Sequence, residues 1–81
     1  MRARRDARLI DALRHVRDAG GRLELVALGR HLRLNRSELD RLVAYADDAR
    51  RGLLRVEIDI KTGDDVVALT PAGARKLPPE K

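Results

Sequence analysis

Few side chains of this chain are spaced for catalysis. The two imidazoles, His15 and His31, fall in different segments, and neither has a thiol or carboxylate companion at metal-ligand spacing, so no metal site is expected. Cysteine is absent, which removes a thiolate nucleophile, a thiolate metal centre and any disulfide, and makes a reducing cytoplasm the natural setting. The paired acids Asp47-Asp48 and Asp64-Asp65 are sequence neighbours. Adjacent residues on a helix point about 100° apart, so the first pair reads as solvated helix positions and not as a catalytic dyad, and the second reads as turn. No glycine-rich loop cradles a phosphate, and nothing pairs a nucleophile with a base. The expectation is a protein that is not an enzyme and needs no cofactor.

The chemistry that remains is that of arginine. The chain carries 18 Lys and Arg against 13 Asp and Glu, a formal net charge of +5. Residues 1–36 hold ten arginines against Asp6, Asp11, Asp18 and Glu24, giving 10 − 4 = +6, and residues 37–81 hold eight bases against nine acids, giving 8 − 9 = −1. Such asymmetry suits an anionic partner, and it equally suits a solvated surface.

The elements that must position these charges follow from periodicity. At 81 residues the sequence has room for one domain, 1–81, with flexible ends expected at about 1–3 and 78–81. With no Phe or Trp and one Tyr, its core has to be aliphatic. From Arg4 to Ala19 apolar residues (Ala7, Leu9, Ile10, Leu13, Val16) recur at three- and four-residue steps, predicting a first helix ended by Gly20-Gly21. Arg22 to Glu24 reads as a short extended stretch. Leu25, Leu28 and Leu32 then predict a brief second helix. Asn35 is placed to cap a third, with Glu38 able to reach back to its amide. The stripe Leu39, Leu42, Val43, Ala46, Ala49 carries that helix to about residue 50, with Arg50-Arg51 opposing its dipole and Gly52 closing it.

The period then changes to two. Leu54, Val56, Ile58 and Ile60 alternate with Arg55, Glu57, Asp59 and Lys61, predicting a strand with its apolar face on the core. Residues 61–65 supply a turn, and Val66 to Leu69 return as a second strand. Thr70-Pro71 opens a last short helix through about Lys76, and Pro78-Pro79 forbids its continuation. No run approaches the ~20 apolar residues needed to cross a bilayer, and the basic N-terminus does not read as a signal peptide.

The run Leu28 to Leu39, with Leu42, resembles the helix-turn-helix motif. Gly29 falls where the motif wants a small residue at the helix crossing, Leu28 and Leu32 match its buried positions in the first helix, Leu34 its apolar turn residue, and Leu39 and Leu42 those of the recognition helix. Arg33 stands where the motif usually has Gly. Leu69 to Arg75 is similar to the segment after the wing in small winged-helix regulators, so the resemblance covers roughly Ala7 to Leu77. It implies an α+β fold, a winged helix-turn-helix with a three-helix core, a C-terminal β-hairpin wing and a short final helix.

It further implies double-stranded DNA as partner, with a recognition helix at about 36–50 in the major groove and a wing at about 61–65 on the backbone. Arg36, Ser37, Asp40, Arg41, Ala44 and Tyr45 are the residues that would face outward from the third helix, and Lys61 and Thr62 would meet the backbone. Tyr45 either faces DNA or fills a core gap. Glu38, Asp40, Asp47, Asp48, Asp64 and Asp65 would repel phosphates, and this sustains an alternative, a winged-helix protein-interaction module acting as adaptor or inhibitor of a nucleic-acid machine. RNA association through the arginine-rich first helix is weaker, for want of exposed aromatics. A two-fold homodimer would use the first helix or the C-terminal segment from Pro71.

Overall fold

The computed structural model describes the backbone of residues 2–48 and 50–77 and the side chains of 7–48 and 50–77. In chain order the elements are α1 (Arg2–Asp18), β1 (Arg22–Glu24), α2 (Leu25–Leu32), α3 (Arg36–Ala46), β2 (Leu54–Ile58), β3 (Asp65–Leu69) and α4 (Pro71–Lys76). The three strands form one antiparallel sheet in the order β1-β3-β2, with Leu23 and Val56 both opposite Val67. This is the α+β winged helix-turn-helix architecture. The core is aliphatic and shared by every layer: Leu9, Ala12, Leu13 and Val16 of α1, Leu28 of α2, Leu39, Leu42, Val43 and Ala46 of α3, Leu54 and Val67 of the sheet, and Leu77 behind α4. Ala7 lies outside it, exposed to solvent.

Local chemistry explains most boundaries. The Asn35 side chain accepts from the Glu38 amide (2.8 Å) while the Glu38 carboxylate accepts from the Asn35 amide (3.0 Å), a complete capping box that starts α3. Thr70 caps α4 by accepting from the Gly73 amide (3.0 Å), and its hydroxyl donates to the carbonyls of Gly52 and Leu53, tying α4 to the base of the hairpin. Gly29 is where α2 and α3 approach, since a Cβ there would meet Leu39 Cδ2 at 2.9 Å.

Two expectations are corrected. α3 ends at Ala46, not near residue 50. The Asp48 carboxylate accepts from the Arg50 amide (2.8 Å) and the Asp48 carbonyl from Gly52 (2.7 Å), so side chain and backbone close a turn that competes with further helix. Arg50 and Arg51 therefore belong to the turn, and Ala49 lies outside the described residues. The alternation along β2 also does not lie on the core. Leu54 is buried at 1% exposure, but Val56, Ile58 and Ile60 are exposed at 39%, 66% and 98%, because the hairpin runs out past the helices after its first turn of contact. The strand stops at Ile58, where the Asp59 carboxylate takes the amides of Lys61 (2.8 Å) and Thr62 (3.4 Å) and folds residues 59–64 into a loop.

Arg33, at the turn between α2 and α3, adopts φ 56° and ψ 44°, the left-handed conformation, and is the sole non-glycine residue with positive φ among those described. That conformation costs an L-residue about 1–2 kcal/mol. Arg33→Gly is expected to raise stability by about 0.5–1 kcal/mol, because relief of this strain exceeds the added freedom of the unfolded chain. A urea melt followed by circular dichroism checks it, and a lowered midpoint would show that the Arg33 side chain makes a compensating contact.

Candidate nucleic-acid interface

One face of the molecule is built from α2, the Arg33-Leu34 turn, the N-terminal half of α3 and the loop of the hairpin. The capping box fixes where α3 begins, and burial of Leu39 and Leu42 fixes how it is rolled, leaving Arg36, Ser37, Asp40, Arg41 and Ala44 exposed. Residues 25–46 carry Arg30, Arg33, Arg36 and Arg41 against Glu38 and Asp40, a balance of 4 − 2 = +2. Arg30, Arg33 and Arg41 are exposed and hold no ion pair among the described residues, so their guanidinium donors face solvent.

The expected site residues are not equivalent. Arg36 Nε meets Asp40 Oδ1 at 3.0 Å, and its Nη2 lies 3.8 Å from Asp65 Oδ2, so one guanidinium links the start of α3 to the base of the hairpin loop. Both pairs are exposed and of little worth to stability. Their consequence is orientational, since they hold Arg36 across an open groove lined by Val26, Arg30, Gly63 and Asp65. Asp40 is thus the anchor of Arg36. Arg41 and Ser37 stand free on the same surface. Tyr45 is half-buried, packs against the core, and is covered by the Arg51 guanidinium 3.7 Å from its ring centroid. Lys61 projects from the hairpin loop, whereas the Thr62 hydroxyl accepts from the Asp64 amide (3.2 Å) and shapes that loop.

Most of the acids that crowd this half of the sequence have local duties. Glu38 completes the capping box, Asp40 and Asp65 hold Arg36, Asp48 closes the turn after α3 and lies 3.8 Å from Arg51, and Asp59 folds the hairpin loop. Asp40, Asp48 and Asp65 face arginines, which offsets part of their charge, while Glu24 and Asp64 also line the groove beside α2. Arg30 and Arg33 join the basic positions of this face. Sequence reasoning passed over both as site residues, although the helix-turn-helix spacing already placed them beside the turn.

The fold also brings His15 of α1 and His31 of α2 together, with ring centroids 4.9 Å apart and planes 12° from parallel. Stacked rings direct their nitrogens side by side instead of toward one point, so the pair joins two helices and does not form a chelate. No group of three or more metal-ligating side chains occurs among the described residues. No helix there is long and apolar enough to cross a membrane.

Comparisons with known proteins bear on the fold. No family model matches the chain, and no curated protein matches it. Among solved structures it is similar to a probable transcriptional regulator from Pseudomonas aeruginosa, with a TM-score of 0.76 and 27% identity over 86% of this chain and 51% of that one. It is likewise similar to the PcaV transcriptional regulator from Streptomyces coelicolor, solved in complex with its natural ligand, with a TM-score of 0.72 and 28% identity over 83% of this chain and 46% of that one. The chain spans about half the length of these regulators.

Proposed function

We propose that this winged helix-turn-helix chain binds double-stranded DNA as a transcription regulator, with the N-terminal half of α3 in the major groove and the hairpin loop at the backbone. The observation that carries the reading is the row of free guanidinium groups Arg30, Arg33 and Arg41 around a capped helix start, on a fold shared with two transcriptional regulators. Exposed arginines flanking the start of a helix are suited to phosphates, and the exposed positions that follow are suited to base edges. Arg36 is held between Asp40 and Asp65, and Ser37 and Arg41 flank it. Lys61 is the cation of the wing, and Thr62 keeps the loop in shape. Tyr45 belongs to the core side of α3 and supports the helix from behind.

Binding driven by phosphate contacts weakens with salt as counterions are released, with log K falling by about 0.9 per phosphate neutralised for each tenfold rise in salt. Titration of the protein into mixed-sequence duplex at low and moderate salt is expected to show binding that falls steeply between them. Absence of binding at low salt would overturn the proposal. Arg41→Ala is expected to weaken affinity by about 1–3 kcal/mol if the residue meets a base and to lower the salt slope by about one if it meets a phosphate. Unchanged affinity and slope would take Arg41 out of the interface.

A further inference from the structure

Arg36 differs in one respect from the other arginines that face outward from α2 and α3. Its Nε donates to Asp40 Oδ1 at 3.0 Å, one turn further along α3, with both side chains more than half exposed. Arg30, Arg33 and Arg41 have no such partner among the described residues. A guanidinium tied at Nε keeps its two Nη groups for other acceptors and presents them end-on, in the direction that the carboxylate fixes. The backbone beneath it is fixed as well, because the capping box of Asn35 and Glu38 makes Arg36 the first residue of α3. Asp65 Oδ2, 3.8 Å from Nη2, is beyond hydrogen-bond reach and adds only a pull of charge. The Nη fork is therefore oriented while its donors stay unspent among the described residues.

We propose that Arg36 recognises one guanine in the major groove and that Asp40 is its positioning residue, an inference that rests on the DNA-binding function proposed above. The major-groove edge of guanine offers N7 and O6 side by side, and the planar fork of two Nη groups meets both acceptors at once. The first residues of a recognition helix are the ones that reach base edges. Asp40 holds the fork end-on before DNA arrives, so less side-chain freedom is lost on docking. The untied guanidinium groups of Arg30, Arg33 and Arg41 can turn to whichever acceptor lies near, phosphates included, and contacts of that kind position a protein without selecting a sequence. Asp65 gives up Nη2 to the base, since no hydrogen bond holds it there. Asp40 thus trades affinity for discrimination. Its charge repels phosphates at every sequence, while its bond to Nε favours one base.

Selection of the full chain on a randomised duplex library, followed by competition between the selected duplex and versions with single base pairs exchanged, tests the assignment. The parent is expected to enrich a guanine and to prefer it about tenfold over the other bases at that position. Arg36→Ala is expected to abolish this preference and leave those at other positions. Asp40→Ala, verified as folded by circular dichroism, is expected to reduce the preference to about twofold while affinity for mixed-sequence duplex stays the same or rises. A merely structural role would instead lower affinity for every duplex alike. Asp40→Asn keeps an acceptor for Nε and is expected to retain most of the preference. Asp65→Asn removes a like charge without touching Nε, and is expected to raise affinity with the preference intact. A guanine preference that survives Arg36→Ala would overturn the assignment of Arg36. An Asp40→Ala variant that discriminates as well as the parent, or an Asp65→Asn variant that loses the preference equally, would overturn the role of Asp40. Both results leave DNA binding standing, whereas a parent that binds no duplex at low salt would overturn the proposed function and this inference together.

Discussion

Gly73→Ala is expected to destabilise the fold by about 2 kcal/mol or more, a large share of the roughly 4–12 kcal/mol available to a domain of this length. Helix propensity alone predicts the reverse, since alanine is better than glycine inside a helix by about 1 kcal/mol. Packing decides against it. A Cβ at Gly73 would overlap the backbone carbonyl of Leu53 and come within 2.8 Å of Leu69 Cδ1. The carbonyl cannot move aside cheaply, because it accepts from the Thr70 hydroxyl and the Thr70 amide at the base of the hairpin. Relief requires α4 to lift from the sheet, which also loosens Leu77 and the root of the wing. A chemical melt that shows an unchanged or raised midpoint would contradict this packing.

Leu28→Ala is expected to cost about 2–5 kcal/mol, the range for truncating a fully buried leucine and leaving a cavity. Leu28 is 0% exposed and belongs to the one cluster that joins α1, α2, α3 and the sheet. Its loss would loosen the seating of α2 against α3, so on the proposed function affinity for DNA is expected to fall with stability. Urea melts of parent and variant check the first part. A cost below about 1 kcal/mol would mean that the neighbouring leucines collapse into the space.

The parts of the fold legible in the sequence are those governed by local chemistry. Asn35 and Glu38 announce their capping box by type and spacing, Thr70-Pro71 announces α4, and the change from a period of 3.6 to a period of two announces the hairpin. The parts that were not legible depend on how far an element extends beyond its support. Alternation along Leu54, Val56, Ile58 and Ile60 tells which side chains share a face, but not that the core ends beneath Leu54. The end of α3 turns on Asp48, whose carboxylate accepts from the Arg50 amide and whose carbonyl accepts from the Gly52 amide, and the apolar stripe alone favours continuing the helix.

The candidate site divides in the same way. Exposure of Arg36, Ser37 and Arg41 follows from the helical stripe, whereas the joining of Arg36 to Asp65 requires the hairpin to fold back beside α2. Net charge along the chain counted every acid as an obstacle to DNA. The fold shows Asp40, Asp48, Asp59 and Asp65 engaged with arginines or backbone amides. The stacking of His15 on His31 is a purely tertiary event that no spacing rule contains.

The most direct measurement is residue-resolved. Amide NMR spectra recorded while duplex DNA is added to the protein are expected to show their largest changes at residues 33–41 and in the 59–64 loop, with the buried face of α1 and the base of the hairpin little altered. No change at low salt, or changes confined to α1 and α4, would contradict the claim that the face built from α2, α3 and the wing is the one that binds DNA.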